Sequence, residues 1–289
     1  MSRILSFLLI DLPARLPLWL LHRIGTIIGW IIYSVSKQYA QRIQENLRRA
    51  FPKINSNKYN ELLNSVVSES GKSITELPWI WRRPAAQVLG TVRHCYGWEL
   101  LEAAQAKGKG VIVLLPHMGC FEVVAMYVGA RIPSVCMYRV PKLAWLDKVM
   151  RAGRERGLMK LARADLGGVR MIFKALKRNE AVGILPDQVP SKGEGEWANF
   201  FGRPAYTMLL INRLVEASGA TVLKCYGERL PNGDGYDIHF SPLELNLQSP
   251  ITRQINTALE EVIECAPSQY LWSYNRYKTP RGVTPPNND

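Results

Sequence analysis

Apolar residues recur at two different spacings along the chain. In the first third they return every three to four positions, as in residues 37–50 and 56–81, and this pattern predicts two amphipathic helices. Pro52 follows the first helix and Pro84 follows the second, which fits because proline does not continue a helix. The first third of the chain is therefore predicted to be helical.

From about residue 98 onward, short apolar runs alternate with amphipathic segments. A run such as GVIVLL predicts a buried strand, and the segments between such runs predict helices. The predicted strands are residues 110–115, 134–138, 181–185, 220–226, 236–240 and 269–273, and the predicted helices are residues 98–106, 121–130, 142–156, 167–177, 207–218 and 250–264. This alternation predicts an α/β fold with a mainly parallel central sheet flanked by helices.

Two apolar runs, residues 4–10 and 24–36, open the chain. Neither reaches the roughly 20 residues that span a bilayer, and no small-residue cleavage site follows the first run, so no signal peptide is expected. A buried helix is one interpretation. We prefer a membrane-anchoring helix with Trp19 and Trp30 near the interface. The predicted organisation is a membrane-associated segment 1–36, an α/β domain 37–278, and a flexible Pro- and Asn-rich tail 279–289.

The charge balance points to a polyanionic partner. Lys and Arg number 37 against 24 Asp and Glu, for a formal net charge of +13. The eight Trp residues and the apolar N-terminus favour the anionic lipids of a membrane, because Trp prefers the headgroup boundary. No nucleic-acid partner is expected, because the basic residues are spread along the chain and no zinc-finger or RNA-binding signature occurs.

The five cysteines predict neither a disulfide framework nor a zinc site. Their number is odd, and no C-x-x-C motif occurs. A reduced, cytoplasm-facing chain fits this pattern best.

The segment PHMGCFE, residues 116–122, carries the clearest chemical motif. It follows a predicted buried strand, and ligands of open α/β sheets bind beyond the carboxyl ends of strands. His117 and Glu122 are five residues apart, so they meet only if the chain bends between them, and Gly119 allows such a bend. Glu122 would then hold one imidazole nitrogen while the other takes a proton from a hydroxyl. The alternative is a surface histidine beside a helix-start glutamate.

Several arginines are candidate ligands for a phosphate or an oxyanion, because the planar guanidinium offers paired donors. Arg139, Arg151, Arg154 and Arg156 lie close in sequence, and Arg151 and Arg154 share a helix face. A solvated basic face is the alternative. Arg276 and Lys278 are either ligands of a carrier protein or lipid phosphate, or a solvated strand end.

Three further positions are candidates for the site. Asp187 follows the predicted strand 181–185, so it either orders the site or caps local structure. Phe200 and Phe201 follow a Gly-rich loop and are either part of an acyl channel or an ordinary buried pair. Cys120 is expected to be a packing residue and not a nucleophile.

The chain resembles the late acyltransferases of lipid A biosynthesis, the lauroyl/myristoyl acyltransferase family. The H-x-x-x-x-[D/E] motif is formed by His117 and Glu122. Similar segments run nearly end to end, namely RIQENL, PHMGCFE, MYR, AGRERG, LPDQVP, FFGRPAYT, ERLPNGDGY and QYLWSYNRYKTP. Some members carry Asp at the position of Glu122, and either acid serves the same role.

This resemblance implies a function. The donor would be an acyl-carrier-protein thioester, the acceptor a lipid A precursor, and the location the cytoplasmic face of the inner membrane, with no metal and no cofactor. The resemblance also implies direct attack by the acceptor hydroxyl, with His117 as base, Glu122 as its partner and Arg154 as an active-site arginine. Arg139, Arg151, Asp187, Phe200 and Phe201 complete the predicted site as substrate contacts.

Two other functions stay open at this point. One is acyl transfer to another glycolipid or to glycerol phosphate. The other belongs to a different class, a non-catalytic protein that binds anionic membranes through its basic surface.

Overall fold

The computed structural model describes residues 7–286 and contains ten α-helices and nine strands within them. The helices are α1 (Leu18–Val35), α2 (Lys37–Ala50), α3 (Ser56–Arg82), α4 (Ala85–Leu89), α5 (Trp98–Ala106), α6 (Phe121–Gly129), α7 (Ala144–Arg154), α8 (Leu166–Lys177), α9 (Leu210–Ser218) and α10 (Ile251–Cys265). The strands are β1 (Val92–Tyr96), β2 (Val111–Leu114), β3 (Ser134–Tyr138), β4 (Met159–Arg163), β5 (Ala181–Ile184), β6 (Gly195–Phe200), β7 (Arg203–Met208), β8 (Thr221–Arg229) and β9 (Tyr236–Leu243).

Seven strands form one central sheet in the order β1-β9-β8-β2-β5-β3-β4. All neighbours in it are parallel except β8 and β9. Every residue of β2 is buried, as expected for a strand covered on both faces by helices. Strands β6 and β7 pair separately as a hairpin. The predicted α/β class with a mainly parallel sheet is confirmed.

Helix α1 packs closely against α3 through glycines. A Cβ on Gly71 would lie 1.8 Å from the carbonyl oxygen of Gly25, and one on Gly29 would lie 2.2 Å from that of Val67. Small residues let two helix backbones approach in this way. Helix α1 has 18 residues and a mean hydropathy of 1.4, so by length and composition it is a candidate membrane anchor. Only 28% of it is buried inside the protein.

Some predicted elements were wrong or missed. The segment 269–273 is not a strand: Pro267–Gln269 form a 3₁₀ turn, and Tyr270 makes only an isolated bridge to Met118. The helix predicted from residue 207 begins at Leu210, because residues before it complete β7. Strands β1, β4, β6 and β7 were not predicted. Residues 1–6 of the first apolar run and 287–289 of the tail lie outside the described residues, and the predicted domain division stays a prediction.

Candidate active site

The loop that carries His117 leaves the carboxyl end of β2 and is fixed from both sides. Gly119 has φ +52°, and a Cβ there would lie 1.9 Å from the carbonyl oxygen of Gly227 on β8, so the turn requires glycine. The Cys120 amide donates to that same carbonyl at 2.8 Å, and the Leu271 amide donates to the His117 carbonyl at 3.0 Å. Neighbouring backbone therefore sets the position of the histidine.

Asp187 holds the imidazole of His117. Its Oδ1 lies 2.7 Å from His117 Nδ1, and its Oδ2 accepts from the His117 amide at 2.9 Å. The two residues meet because β2 and β5 are adjacent parallel strands, with Leu114 opposite Ile184, and both chains exit at the same edge of the sheet. A carboxylate can only accept, so we place the imidazole proton on Nδ1 and the free lone pair on Nε2.

Glu122 has a different partner from the one predicted. It lies in the first turn of α6, as expected, but its carboxylate pairs with Arg154, the last residue of α7. The Arg154 Nε lies 2.9 Å from Glu122 Oε2, and Nη2 bonds Oε1. Among residues 7–286, no hydrogen bond or ion pair joins Glu122 to His117. The prediction that Glu122 holds the imidazole is corrected: the bend at Gly119 directs α6 so that its first carboxylate meets α7.

Asp187 is ionised in this setting. Burial alone would raise the pKa of its carboxyl, but the charge and the hydrogen bonds of His117, together with Arg276, lower that pKa below its usual value. Arg276 is itself buried and donates to the Tyr206 carbonyl and to Thr207 Oγ1, at 2.8 and 2.7 Å. Arg276 is thus neither a surface ligand nor a solvated strand end, and it supports the site from inside.

A cavity of about 580 Å³ opens beside His117. Residues of neighbouring strands line one part of its wall, many of them alternate residues, since every second side chain shares a face of the sheet. Residues of α6, α7, α8 and α9 line the rest. The residues that line its apolar interior include Val113, Val124, Val128, Met150, Met159, Leu161, Ala181 and Gly183. Glu122 and Arg154 also line it. The cavity can hold a linear hydrocarbon whose polar end lies at His117.

The remaining predicted site residues separate into two groups. Arg139 is exposed and lines the cavity entrance. Arg151 does not line the cavity and pairs with Glu155 at 3.1 Å on the surface. Phe200 and Phe201 lie in an aromatic cluster with Tyr270 and Trp272 and not along the cavity, so the acyl-channel interpretation of this pair is corrected.

Cys120 is unsuited to nucleophilic attack. Its side chain is buried, and burial, with the nearby charge of Glu76, raises the pKa of the thiol well above its usual value. The packing role predicted for it therefore fits its surroundings.

The sequence did not single out two polar residues that line the cavity. The side-chain amide nitrogen of Gln188 lies 3.2 Å from His117 Nε2. The Tyr138 hydroxyl is buried and, within the described part of the chain, has no hydrogen-bond partner. Their position in the sequence is the one signal that could have found them. Tyr138 is the last residue of β3, which neighbours β5, and Gln188 follows β5, which neighbours β2.

No metal site is formed by the part of the chain that the structure describes. Across residues 7–286, no group of three or more His, Cys, Asp or Glu side chains is placed to hold an ion.

Comparison with known proteins decides the family. The profile of a family described as bacterial lipid A biosynthesis acyltransferase matches residues 4–279. The chain belongs to this family. Among its relatives, the lipid A biosynthesis lauroyltransferase of Escherichia coli (strain K12) is 26% identical, over 94% of this chain and 90% of the relative.

Two more relatives differ in the acyl group that they are named for. The lipid A biosynthesis palmitoleoyltransferase of Escherichia coli (strain K12) is 27% identical, over 92% of this chain and 87% of its own length. The myristoyltransferase of the same strain is 22% identical, over 90% and 80%. The lipid A biosynthesis acyltransferases therefore include enzymes with different acyl groups, and membership does not fix the chain length here.

Proposed function

We propose that this acyltransferase moves a fatty acyl chain from an acyl-carrier-protein thioester to a hydroxyl of a lipid A precursor, at the cytoplasmic face of the inner membrane. One observation carries the proposal: His117 Nδ1 is held by a buried carboxylate, which leaves Nε2 as the nitrogen that can accept a proton at the mouth of an apolar cavity. This arrangement suits a general base that serves a lipid substrate.

The reaction needs one proton transfer in each direction. As the acceptor hydroxyl attacks the thioester carbonyl carbon, its proton moves to His117 Nε2. The tetrahedral intermediate collapses, the C–S bond breaks, and the proton passes from the imidazolium to the leaving thiolate. The Asp187 carboxylate stabilises the imidazolium between these steps. Gln188 contacts Nε2 in the free protein and would give way to the hydroxyl.

Arg154 stabilises the developing oxyanion in this mechanism, and Glu122 orients Arg154. Arg154 lines the cavity and donates three hydrogen bonds to the buried carboxylate of Glu122. A guanidinium fixed in this way is a pre-organised donor for negative charge. Glu122 thus serves catalysis by orienting Arg154, while Asp187 takes the part that the sequence suggested for Glu122.

Arg139 is placed to bind the acceptor. It lies at the entrance of the cavity with no ion-pair partner among the described residues, and a free guanidinium suits a phosphate of a lipid A precursor. Arg151 does not line the cavity, and its guanidinium is engaged by Glu155 on the surface.

Turnover by the purified full-length protein tests the proposal. Acyl carrier protein loaded with a fatty acid is the donor, a lipid A precursor or glycerol 3-phosphate is the acceptor, and products are identified by mass spectrometry. We expect acylated lipid A precursor only, and its loss in His117→Ala by roughly 10²–10⁴-fold. His94→Ala is the matched control, because His94 is exposed and pairs with Asp237 away from the cavity.

Three results would contradict the proposal. Product formed from glycerol 3-phosphate alone would show that the acceptor is not a lipid A precursor. Full activity of His117→Ala would show that His117 is not the base. No turnover together with intact membrane binding would favour the non-catalytic alternative.

A further inference from the structure

Two loops form a rim at the entrance of the cavity. The first loop is residues 139–143, which follow β3, and the second is residues 164–166, which follow β4, the edge strand beside it. Leu166 ends the second loop and is also the first residue of α8. The strands are in parallel register with Tyr138 opposite Arg163, and the Ala164 amide donates to the Tyr138 carbonyl at 2.9 Å. Arg139 and Leu166 line the cavity, one from each loop. The two loops are therefore neighbours at the point where a ligand enters.

The rim exposes large apolar side chains. Val140 is 42% exposed, Leu143 54% and Leu166 77%. Scattered exposed leucines need no explanation, but three aliphatic side chains on two adjacent loops at one opening form a local patch.

Basic residues flank these apolar side chains. Arg139 precedes Val140, Lys142 precedes Leu143, and Arg163 lies beside Tyr138 in the neighbouring strand. None of the three forms an ion pair with a carboxylate of residues 7–286. Asp165 is the acid within the rim, and its side chain is engaged in capping α8 through the Gly168 amide at 2.9 Å.

We propose that this rim is a second membrane-contact surface, separate from α1, whose apolar side chains enter the bilayer while its basic side chains contact anionic phospholipid headgroups. The aliphatic side chains suit the hydrocarbon boundary of a membrane, and the Lys and Arg residues beside them suit its anionic headgroups. The inference rests on the proposed function in one respect: a cavity that receives a membrane lipid gains from an entrance held at the membrane surface.

The aliphatic character of the rim favours a bilayer over a carrier protein as the occupant. A surface for an acidic carrier protein requires basic groups, which the rim has, but it does not require three aliphatic side chains that project into solvent. The hydrocarbon boundary of a bilayer accepts such side chains without a matching pocket.

Fluorophore labelling of the full-length protein tests the rim. Leu143→Cys and Leu166→Cys are each made in a Cys265→Ser background, because Cys265 is the exposed cysteine of the described residues. An environment-sensitive dye is attached, and the protein is reconstituted in vesicles of phosphatidylethanolamine and phosphatidylglycerol. We expect a blue shift at both positions and quenching by lipids brominated on the acyl chains. Lys142→Gln with Arg163→Gln should weaken the quenching at residue 166 at least twofold.

Leu158→Cys is the matched control. Leu158 is 49% exposed and precedes β4, whereas Leu166 follows it, so the two positions lie at opposite ends of one strand. Equal emission at 158 and 166 in vesicles, whether shifted or unshifted, would overturn the proposal. A shift at 166 that appears only when acyl carrier protein is added would assign the rim to a protein partner instead. Emission is read without turnover, so these outcomes are independent of whether the proposed reaction occurs.

Discussion

Two buried carboxylates of the site each hold a different side chain. Asp187 holds the imidazole of His117, and Glu122 holds the guanidinium of Arg154. The side chains of both acids are only 3% exposed, so each charge depends on its partner for compensation. The chemical roles of the two acids follow from these partners and not from their distance to His117 in sequence.

Asp187→Asn is expected to lower kcat by about 10²–10⁴-fold with little effect on folding. The amide preserves the shape of the side chain, but its NH₂ group can donate to Nδ1 and thereby place the imidazole proton on Nε2, where the base must accept. Steady-state kinetics with saturating donor and acceptor measure the effect, and thermal unfolding checks the fold. A kcat within threefold of the wild type would exclude Asp187 as the residue that sets the tautomer.

A double-mutant cycle separates the two acids. If Glu122 acts by orienting Arg154, the losses of transition-state stabilisation caused by Glu122→Gln and by Arg154→Gln should not be additive, because either change breaks the same ion pair. The losses caused by Glu122→Gln and by Asp187→Asn should be closer to additive, because these two residues belong to different pairs. Values of kcat/KM for the three single and two double variants, each relative to the wild type, decide this. Additivity for Glu122 and Arg154 would show that they act separately.

The buried hydroxyl of Tyr138, which has no hydrogen-bond partner among residues 7–286, leads to a third expectation. A buried donor without a partner costs about 1–3 kcal/mol, and a bound substrate would remove that cost. Tyr138→Phe should therefore reduce kcat/KM by about 10-fold without lowering the stability of the free protein. Tyr127→Phe is the control, because the Tyr127 hydroxyl contacts Cys95 and does not line the cavity. Equal kinetics of the two variants would leave Tyr138 without a role in substrate binding.

At the scale of residues, the sequence could place the site but not its pairings. His117, Glu122, Asp187 and Arg154 all follow or adjoin elements that could be predicted, and all of them line or border one cavity. Which acid meets the histidine depends on β5 lying next to β2, and sheet order is not encoded in any local pattern. The spacing along the chain favoured Glu122 as the partner of His117, whereas the adjacency of β2 and β5 makes Asp187 that partner.

At the scale of elements, a buried ionic network joins α1, α3 and β8 to the active-site loop. Arg229 on β8 bonds Glu76 and Glu69 of α3, and its Nη2 also donates to the Gly119 carbonyl at 3.0 Å. His22 of α1 lies 3.4 Å from Glu76. The network therefore links the candidate membrane anchor to the loop that holds His117. Removing the charge of one partner in such a buried ion pair is destabilising, because it leaves the other charge uncompensated.

Acid should weaken this network. Burial raises the pKa of Glu76, but Arg229 and His22 outweigh it and lower the pKa from 4.5 to about 2. Because this pKa is lower in the folded state, the contribution to stability is complete above about pH 4.5 and is lost as pH falls toward 2. The loss is on the order of 3 kcal/mol.

Denaturant unfolding of the wild type and Glu76→Gln in detergent, from pH 6 to 2.5, measures this contribution. Glu76→Gln should be less stable at pH 6, because Arg229 then loses a charged partner, and its stability should depend less on pH below 4.5. Parallel pH profiles of the two proteins would contradict the assignment to Glu76.

The elements that the sequence predicted well are those with a regular period and clear ends. The helix of residues 37–50 and the strand of residues 134–138 were predicted with their observed bounds. Strand β4 was missed because its sequence MKLAR places charged residues at both exposed positions and leaves no apolar run. The last predicted strand failed because its segment crosses the His117 loop and meets it at a single bridge.

At the scale of the whole molecule, the candidate anchor helix α1 has two distinct faces. Its glycines and Leu21 face α3, whereas Ile27, Ile31 and Val35 are 60%, 56% and 79% exposed. These three residues are spaced four apart and form one stripe. An 18-residue helix is about 27 Å long, close to the roughly 30 Å thickness of a hydrocarbon core. The stripe is thus the part of α1 that is free to contact lipid.

Replacing the stripe should weaken membrane attachment without unfolding the protein. Ile27→Gln, Ile31→Gln and Val35→Gln change only exposed side chains, so the packing of α1 on α3 remains. Each apolar side chain that leaves lipid gives up about 1.5–3 kcal/mol, whereas the basic surface, with a net charge of +13, still attracts anionic lipid. The wild type should stay in the membrane fraction at high salt, and a larger share of the triple variant should be released by it, because salt screens the electrostatic part of the remaining attraction. Leu247→Gln, at a residue 59% exposed outside the stripe, is the control and should fractionate as the wild type does. A wild type found in the soluble fraction, or a triple variant that resists salt as the wild type does, would refute anchoring through this face of α1.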